Sequence, residues 1–310
     1  MFTQGTILIL GLILLFAGSA MLVEGAASTA VMFAVRPVII GLTIVSFATS
    51  APELLVSLVA AVKGSGGISL GNILGSNVIN IALVLGISSV IKPVTIQEQI
   101  IKIEIPYMIL ISFIFWLLCM DSNIGQTDGF VLIFLLIVFL IYGVITAKDK
   151  NSDTQIVKPS LPTIIKNIVF IILGILMLSY GANFVVREAI TIAREIGLSQ
   201  TFIGISVVAL GTSLPELATS VVAAARGESE ISVGNVVGSN LFNICLVMGV
   251  VGIFNPMPID TNLHYFQFPF MLFLCFLLGF VAWVNKGIGK KVGFLFIILF
   301  VVYIAVSYIN

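Results

Sequence analysis

Apolar stretches long enough to cross a membrane follow one another along almost the whole chain. A helix needs about 20 apolar residues to span the roughly 30 Å of hydrocarbon in a bilayer. These stretches are continuously apolar and do not alternate with polar residues, which favours helices over strands. The sequence therefore predicts an all-α membrane protein with ten transmembrane helices, at residues 5–32, 38–62, 68–91, 102–120, 127–147, 163–186, 201–225, 231–254, 265–284 and 290–309.

The composition excludes several other classes of protein. Only 9% of the 310 residues are charged, whereas a soluble domain has roughly 25%. Lys and Arg number 14, as do Asp and Glu, so no basic surface for nucleic acid is predicted. Cys119, Cys245 and Cys275 lie inside apolar runs without metal-ligand spacing and are predicted to be free core thiols. No nucleophile–base pair or cofactor motif is evident, so neither an enzyme nor a cofactor is predicted, and no protein partner is implied.

Residues 41–86 and 204–249 are two copies of one motif. They align without a gap at an offset of 163, and 24 of the 46 positions are identical. Both copies contain Thr-Ser-x-Pro-Glu-Leu and Gly-Asn-x-x-Gly-Ser-Asn-x-x-Asn, which chance similarity between apolar helices does not produce. The chain is therefore predicted to be a duplication, with repeats at 1–147 and 163–310 joined by a linker at 148–162.

The duplication also predicts how the two repeats are oriented. Five predicted helices separate equivalent points of the repeats, and five is an odd number, so equivalent helices cross the membrane in opposite directions. The fold class is thus two inverted five-helix repeats, an architecture that many secondary transporters share.

The distribution of basic residues predicts which side is cytoplasmic. When successive loops are assigned to alternate sides, one side receives eleven Lys and Arg residues and the other receives three. Cytoplasmic loops are enriched in these residues. The sequence therefore predicts a protein of the plasma membrane bilayer with a cytoplasmic linker and both termini extracellular. The three residues on the external side are Lys63, Arg187 and Arg194.

Two carboxylates lie near the middle of predicted membrane helices. Glu53 and Glu216 occupy the same position in the two motifs. A carboxylate at the centre of a bilayer costs ~2.5–3.5 kcal/mol on insertion scales, and such residues usually serve a function. A glutamate can also be satisfied by neighbouring helices alone, but two that are related by the repeat favour a functional site.

Hydroxyl and amide groups accompany the two glutamates. Spacings of i, i+4 and i+8, with one further serine three residues before each glutamate, place one set on the faces of Glu53 and Glu216. The i, i+4 and i+8 spacing also places a second set on one face of each following helix. Pro52 and Pro215 have no N–H, which predicts free carbonyl oxygens four residues earlier. The first set is Thr49, Ser50, Ser57, Thr212, Ser213 and Ser220, and the second is Asn72, Ser76, Asn80, Asn235, Ser239 and Asn243. Of these, Asn72 and Asn235 are expected to join helices.

A site built only from oxygen atoms favours a hard cation. Ca²⁺ takes about 6–8 oxygen ligands at ~2.3–2.6 Å, and two glutamates balance its charge. These positions include no His or Cys, which argues against zinc and copper. The sequence therefore predicts Ca²⁺ as a bound ion.

The two motifs, TSAPE…GNILGSNVIN and GTSLPE…GNVVGSNLFN, resemble those of the cation/Ca²⁺ exchanger superfamily, most closely its prokaryotic sodium/calcium exchangers. The resemblance implies that Glu53 and Glu216 bind Ca²⁺ and Na⁺ alternately, with the main-chain oxygens of Thr49 and Thr212 joining the Ca²⁺ site. It also implies that the first and sixth helices slide across the other eight. Their glycines suit such a sliding surface, although packing alone would also explain them; they are Gly11, Gly18, Gly174 and Gly181. It assigns Asn80 and Asn243 to the central site, and the hydroxyls of Ser50, Ser76, Ser213 and Ser239 and the carbonyls of Ser46 and Ala209 to flanking Na⁺ sites.

Na⁺/Ca²⁺ antiport is the first hypothesis for the function. The alternative is Ca²⁺/H⁺ antiport on the same fold, because protons compete for buried glutamates. Proton/calcium exchangers, however, carry Gly-Asn-x-x-Glu where this chain has Thr-Ser-x-Pro-Glu. Potassium-dependent relatives carry an acid at the position of Asn243, so coupling to K⁺ is not favoured. A passive channel and an intramembrane enzyme are further hypotheses, against which the inverted repeat and the lack of catalytic motifs weigh.

Overall fold

The computed structural model describes residues 2–147, 160–195 and 209–309. Nearly all of these residues are helical. Prolines begin several helices, at the position where a missing N–H costs no hydrogen bond. The helices are α1 (Phe2–Met32), α2 (Pro37–Thr49), α3 (Ala51–Val62), α4 (Gly66–Ile91), α5 (Ile100–Asp121), α6 (Gln126–Ile145), α7 (Leu161–Glu195), α8 (Ala209–Thr212), α9 (Leu214–Arg226), α10 (Ser229–Phe254), α11 (Gln267–Asn285) and α12 (Lys290–Ile309).

The prediction of an all-α membrane protein is confirmed. Within the described residues, eight helices are long and apolar enough to cross a membrane, and α2 together with α3, bent by 44°, makes a ninth. The predicted runs match these helices in order. The predicted run 201–225 begins among residues 201–208, which lie outside the described part of the chain, and α8 and α9 occupy its remainder. The linker 148–162 also lies mostly outside the described residues.

Helices α4 and α10, which carry the asparagine-rich halves of the two motifs, form the centre of the molecule. In each, 83% of the apolar span is buried, whereas the corresponding share is 17% in α7 and in α12. Helix α10 packs against α2 and α9, and α4 packs against α3 and α12. The outer helices expose large apolar side chains such as Phe16 and Phe134, as a lipid environment requires.

Helices α1 and α7 pack along each other at very short range. A Cβ atom added to Gly18 would lie 2.9 Å from the carbonyl oxygen of Gly174, and one added to Gly181 would lie 2.8 Å from that of Gly11. These glycines were candidates for a surface on which α1 and α7 slide across the remaining helices. The structure instead places them in the contact between α1 and α7, as small residues in membrane helix pairs commonly are.

Two short β-ribbons connect loops of the two halves. Strand β1 (Val94–Thr95) pairs antiparallel with β4 (Gly287–Ile288), and β2 (Asn123–Ile124) pairs antiparallel with β3 (Met257–Pro258). Each ribbon therefore holds together segments that are far apart in the sequence.

Candidate ion-binding site

A break in the helix precedes each intramembrane glutamate. Ser50 separates α2 from α3 with φ −83° and ψ 4°, and Ser213 separates α8 from α9 with φ −87° and ψ 7°. Pro52 and Pro215 follow in the first turn of the next helix. The breaks thus lie beside the prolines, which have no N–H to continue the helical hydrogen bonding. Unwound backbone at membrane depth is tolerated where it is buried or lines a cavity.

Glu53 and Glu216 are completely buried and lie in the first turns of α3 and α9. The N-terminus of a helix carries partial positive charge, which stabilises a carboxylate there. Ser213 donates a hydrogen bond of 3.3 Å to Oε1 of Glu53, and Ser50 donates one of 3.2 Å to Oε1 of Glu216. Ser76 donates a longer one, of 3.5 Å, to Oε1 of Glu53. The two breaks thus meet, and each supplies a hydroxyl to the glutamate of the other.

The threonines before the breaks are held by asparagines of the central helices. Thr49 donates to Oδ1 of Asn235 over 3.1 Å, and Thr212 donates to Oδ1 of Asn72 over 3.3 Å. Thr49 also lies 3.3 Å from the hydroxyl of Ser239. Since Asn72 and Asn235 join α4 and α10 to other helices, their predicted role in helix packing is confirmed.

Asn80 and Asn243 are buried on α4 and α10, each within a π-helical stretch. The stretches are Ile79–Val84 and Phe242–Met248, and π-helical turns often mark functional sites. Their amide nitrogens donate to other asparagines of the opposite half, Asn80 to Asn240 and Asn243 to Asn77.

Four buried oxygen atoms at these positions have no hydrogen-bond partner among the described residues. They are Oε2 of Glu53, Oε2 of Glu216, Oδ1 of Asn80 and Oδ1 of Asn243. A buried acceptor without a donor costs roughly 1–3 kcal/mol, and more when it is charged. A cation is a partner that carboxylate and amide oxygens accept, so the chemistry of this donor set fits a hard metal ion with two units of positive charge.

Ser46 and Ala209 are the two residues whose carbonyl oxygens are predicted to bind Na⁺. The hydroxyl of Ser46 donates to the carbonyl of Gly41 over 2.6 Å and to that of Asn235 over 3.0 Å. The carbonyl of Ser46, predicted as a Na⁺ ligand, accepts from the N–H of Ser50 over 2.9 Å and from the hydroxyl of Thr49 over 3.3 Å. Both of its lone pairs therefore have donors. Ala209 begins α8, directly after residues outside the described part of the chain.

One buried ion pair was not predicted. Arg36 before α2 and Glu104 on α5 are almost inaccessible, and their side chains approach to 3.3 Å. No sequence pattern indicates the pair, because Glu104 lies near a helix end and its partner is 68 residues away. The pair lies at the helix ends, away from the helix breaks. The three cysteines are buried and form no disulfide, which confirms them as free thiols.

The fold is that of a cation/Ca²⁺ exchanger. The sodium/calcium exchanger protein family matches residues 4–144 and 166–309, which is most of the chain, and the protein belongs to that family. It is thereby a membrane transport protein, and the family supports cation/Ca²⁺ antiport as its activity.

Similar proteins occur in bacteria and archaea. The inner membrane protein YrbG of Escherichia coli is 32% identical over 97% of this chain and 96% of its own length. The sodium/calcium exchanger MaX1 of Methanosarcina acetivorans is 29% identical over 97% of both chains. The sodium-calcium exchanger NCX_Mj, in a structure soaked with Na⁺ and Ca²⁺, is 32% identical and superposes with a TM-score of 0.87 over 98% of both chains.

Proposed function

We propose that this protein exchanges Na⁺ for Ca²⁺ by alternating access at one mid-membrane site that contains Glu53 and Glu216. The observation that carries the proposal is the set of four unpartnered oxygens on these glutamates and on Asn80 and Asn243. All four residues are completely buried, so bulk solvent does not reach these oxygens. Two carboxylates balance the charge of one Ca²⁺ and leave the site open to Na⁺ when Ca²⁺ departs.

The remaining polar residues extend the site on either side of this centre. The hydroxyls of Ser50 and Ser213 touch the carboxylates directly, at 3.2 and 3.3 Å, which suits ligands shared between neighbouring ions. Main-chain oxygens at the breaks add uncharged ligands for Ca²⁺. Flanking Na⁺ sites would use the hydroxyls of Ser50, Ser76, Ser213 and Ser239 and the carbonyls of Ser46 and Ala209, with Thr49 turned away from Ser46.

The proposed architecture is ten spans in two inverted repeats. Loop contacts support the parity that this architecture requires. The β1–β4 ribbon joins the third and ninth loops, and the β2–β3 ribbon joins the fourth and eighth. Odd-numbered loops thus contact odd-numbered loops, and even-numbered contact even-numbered, as strict alternation across a membrane demands.

A contact near α9 supports a membrane crossing between α7 and Arg226. Lys166, at the start of α7, lies 3.1 Å from Glu24, and Arg226 lies 4.0 Å from the same carboxylate. Arg226 and the start of α7 are therefore on one side of the membrane, whereas α7 itself crosses to the other. The chain must return between Glu195 and Arg226, and α8 and α9 form the described part of that crossing.

The orientation follows from the basic residues. We assign the side of Glu24, Lys166 and Arg226 to the cytoplasm of a cell whose plasma membrane holds the protein, with both termini extracellular.

Reconstituted protein tests the function. Uptake of ⁴⁵Ca²⁺ into proteoliposomes is compared under an imposed Na⁺ gradient, an imposed pH gradient and neither. Na⁺-driven uptake, lost in Glu53→Gln and in Glu216→Gln, is expected, because each substitution removes one of the two charges that balance Ca²⁺. Glu98→Gln is the matched control, since Glu98 is exposed and pairs only with Lys102 among the described basic residues. Uptake driven by the pH gradient alone would favour Ca²⁺/H⁺ antiport. Uptake without a gradient of Na⁺ or H⁺ would favour a channel. An active Glu53→Gln protein would refute the site.

A further inference from the structure

Two further buried asparagines, Asn77 and Asn240, are hydrogen-bonded to Asn243 and Asn80. We propose that Asn77 and Asn240 are positioning residues that hold the amide groups of Asn243 and Asn80 with their oxygens toward the ion. The inference rests on the proposed function and concerns residues that the sequence motif does not distinguish from packing residues. Both asparagines are at most 1% exposed.

The hydrogen bonds between the four asparagines are crossed. Nδ2 of Asn243 donates to Oδ1 of Asn77 over 3.0 Å, and Nδ2 of Asn80 donates to Oδ1 of Asn240 over 3.1 Å. Each bond joins α4 to α10. Because these bonds engage the amide nitrogens of Asn80 and Asn243, the amide oxygens are left facing away from Asn240 and Asn77. Neither oxygen has a hydrogen-bond partner among the described residues.

The orientation of Asn77 is itself fixed by its surroundings. Its Nδ2 lies 3.5 Å from the carbonyl oxygen of Asn240 and 3.8 Å from the sulfur of Met271. Both of these atoms are acceptors. A rotated Asn77 amide would place its oxygen against them and its N–H groups against those of Asn243. On the other side, Nδ2 of Asn240 lies 3.6 Å from the sulfur of Met108.

This arrangement matters because an amide can face a cation in two ways. The oxygen attracts a metal ion, whereas the NH₂ group repels it, and the two ends have nearly the same size. Aspartate does not have this ambiguity, because both of its oxygens are acceptors. A site that uses asparagine at positions 80 and 243 therefore needs a group that selects one orientation, and Asn77 and Asn240 supply it.

A double-mutant cycle tests the proposal. Equilibrium binding of ⁴⁵Ca²⁺ to purified protein in Na⁺-free detergent solution is measured for Asn77→Ala, Asn243→Asp and the double variant. Asn77→Ala is expected to weaken Ca²⁺ binding about tenfold in the wild-type background, because the freed amide turns its nitrogen toward the ion. In the Asn243→Asp background the same substitution should change binding less than about twofold, since the carboxylate has no wrong orientation.

The mirror cycle, Asn240→Ala with Asn80→Asp, repeats the measurement if one variant is not monodisperse. Ser112→Ala is the control, because this buried hydroxyl bonds to the carbonyl of Met108 beside the cluster and should leave Ca²⁺ binding unchanged. An equal loss in both backgrounds would mean that Asn77 only supports packing and would overturn the proposal. Unchanged Ca²⁺ binding in Asn77→Ala and in Asn240→Ala would overturn it as well. A wild-type protein that binds no Ca²⁺, or a Glu53→Gln protein that binds it normally, would refute the proposed site instead.

Discussion

Ser213 donates a hydrogen bond to Glu53 across the two halves of the chain, over 3.3 Å and 160 residues of sequence. Ser50 makes the equivalent bond to Glu216. Each glutamate thus accepts a hydrogen bond from a serine of the other motif. The two motifs therefore contact each other at these carboxylates, and a substitution in one half is expected to alter the carboxylate of the other.

Loss of a serine hydroxyl at the breaks should affect Na⁺ more than Ca²⁺. Ser213→Ala is expected to raise the Na⁺ concentration for half-maximal exchange about tenfold, because it removes an oxygen from a proposed flanking Na⁺ site. The Ca²⁺ requirement should change less than about threefold, since both carboxylates remain. The measurement is ⁴⁵Ca²⁺ flux in proteoliposomes as a function of each ion, with Ser112→Ala as the control. Equal changes for both ions would contradict separate flanking sites.

Charge movement should report the stoichiometry. Two glutamates neutralise one Ca²⁺, and three Na⁺ would leave the site with about one positive charge, since Asn80 and Asn243 add none. A three-for-one cycle carries one net charge and couples to voltage by ~2.3 kcal/mol per 100 mV. Inside-positive potential, set with K⁺ and valinomycin, is then expected to speed Ca²⁺ uptake driven by internal Na⁺, because three charges leave for every two that arrive. Uptake that is indifferent to the clamped potential would mean a two-for-one exchange.

Cysteine labelling checks the orientation. In a background in which Cys119, Cys245 and Cys275 are replaced, a single cysteine at Ser152 should resist an impermeant thiol reagent added to intact cells. A single cysteine at Lys63, an exposed residue on the proposed external side, should react rapidly. Reversal of the two results would invert the assignment of sides.

The contact between α1 and α7 should not tolerate one added methyl group. Gly18→Ala places a Cβ atom 2.9 Å from the carbonyl of Gly174, where the facing backbone cannot yield without separating the helices. We expect a lower apparent melting temperature and slower exchange. Gly5→Ala, on the same helix but with no atom within 4 Å of the added Cβ, is the matched control. Equal behaviour of the two variants would show that the close approach does not matter.

Much of the fold was predictable because a bilayer leaves few choices. Continuous apolar runs must form helices, and the breaks at Ser50 and Ser213 follow from prolines two residues later. Counting along each run also predicts that Glu53 and Glu216 lie at membrane depth. These features depend only on local sequence and on the thickness of the membrane.

Relationships between distant helices were not predictable in the same way. Helical spacing gives the face on which Asn77 or Gly18 lies, but not which helix that face meets. Asn77 shares its motif with Asn80, and only the crossed bonds between α4 and α10 separate a positioning residue from a proposed ligand. The Arg36–Glu104 pair was missed for the same reason, because its two residues come together only after the helices have packed.

The hydrogen bonds that join the two halves of the chain have a consequence for biosynthesis. While the ribosome is still making the second half, Glu53 already lies in the membrane without the hydroxyl of Ser213, and Asn72 lacks its bond from Thr212. The nascent first half therefore carries polar groups whose partners do not yet exist. Because unpartnered polar groups are costly away from water, the first half is expected to reach its final structure only when α8 and α9 arrive.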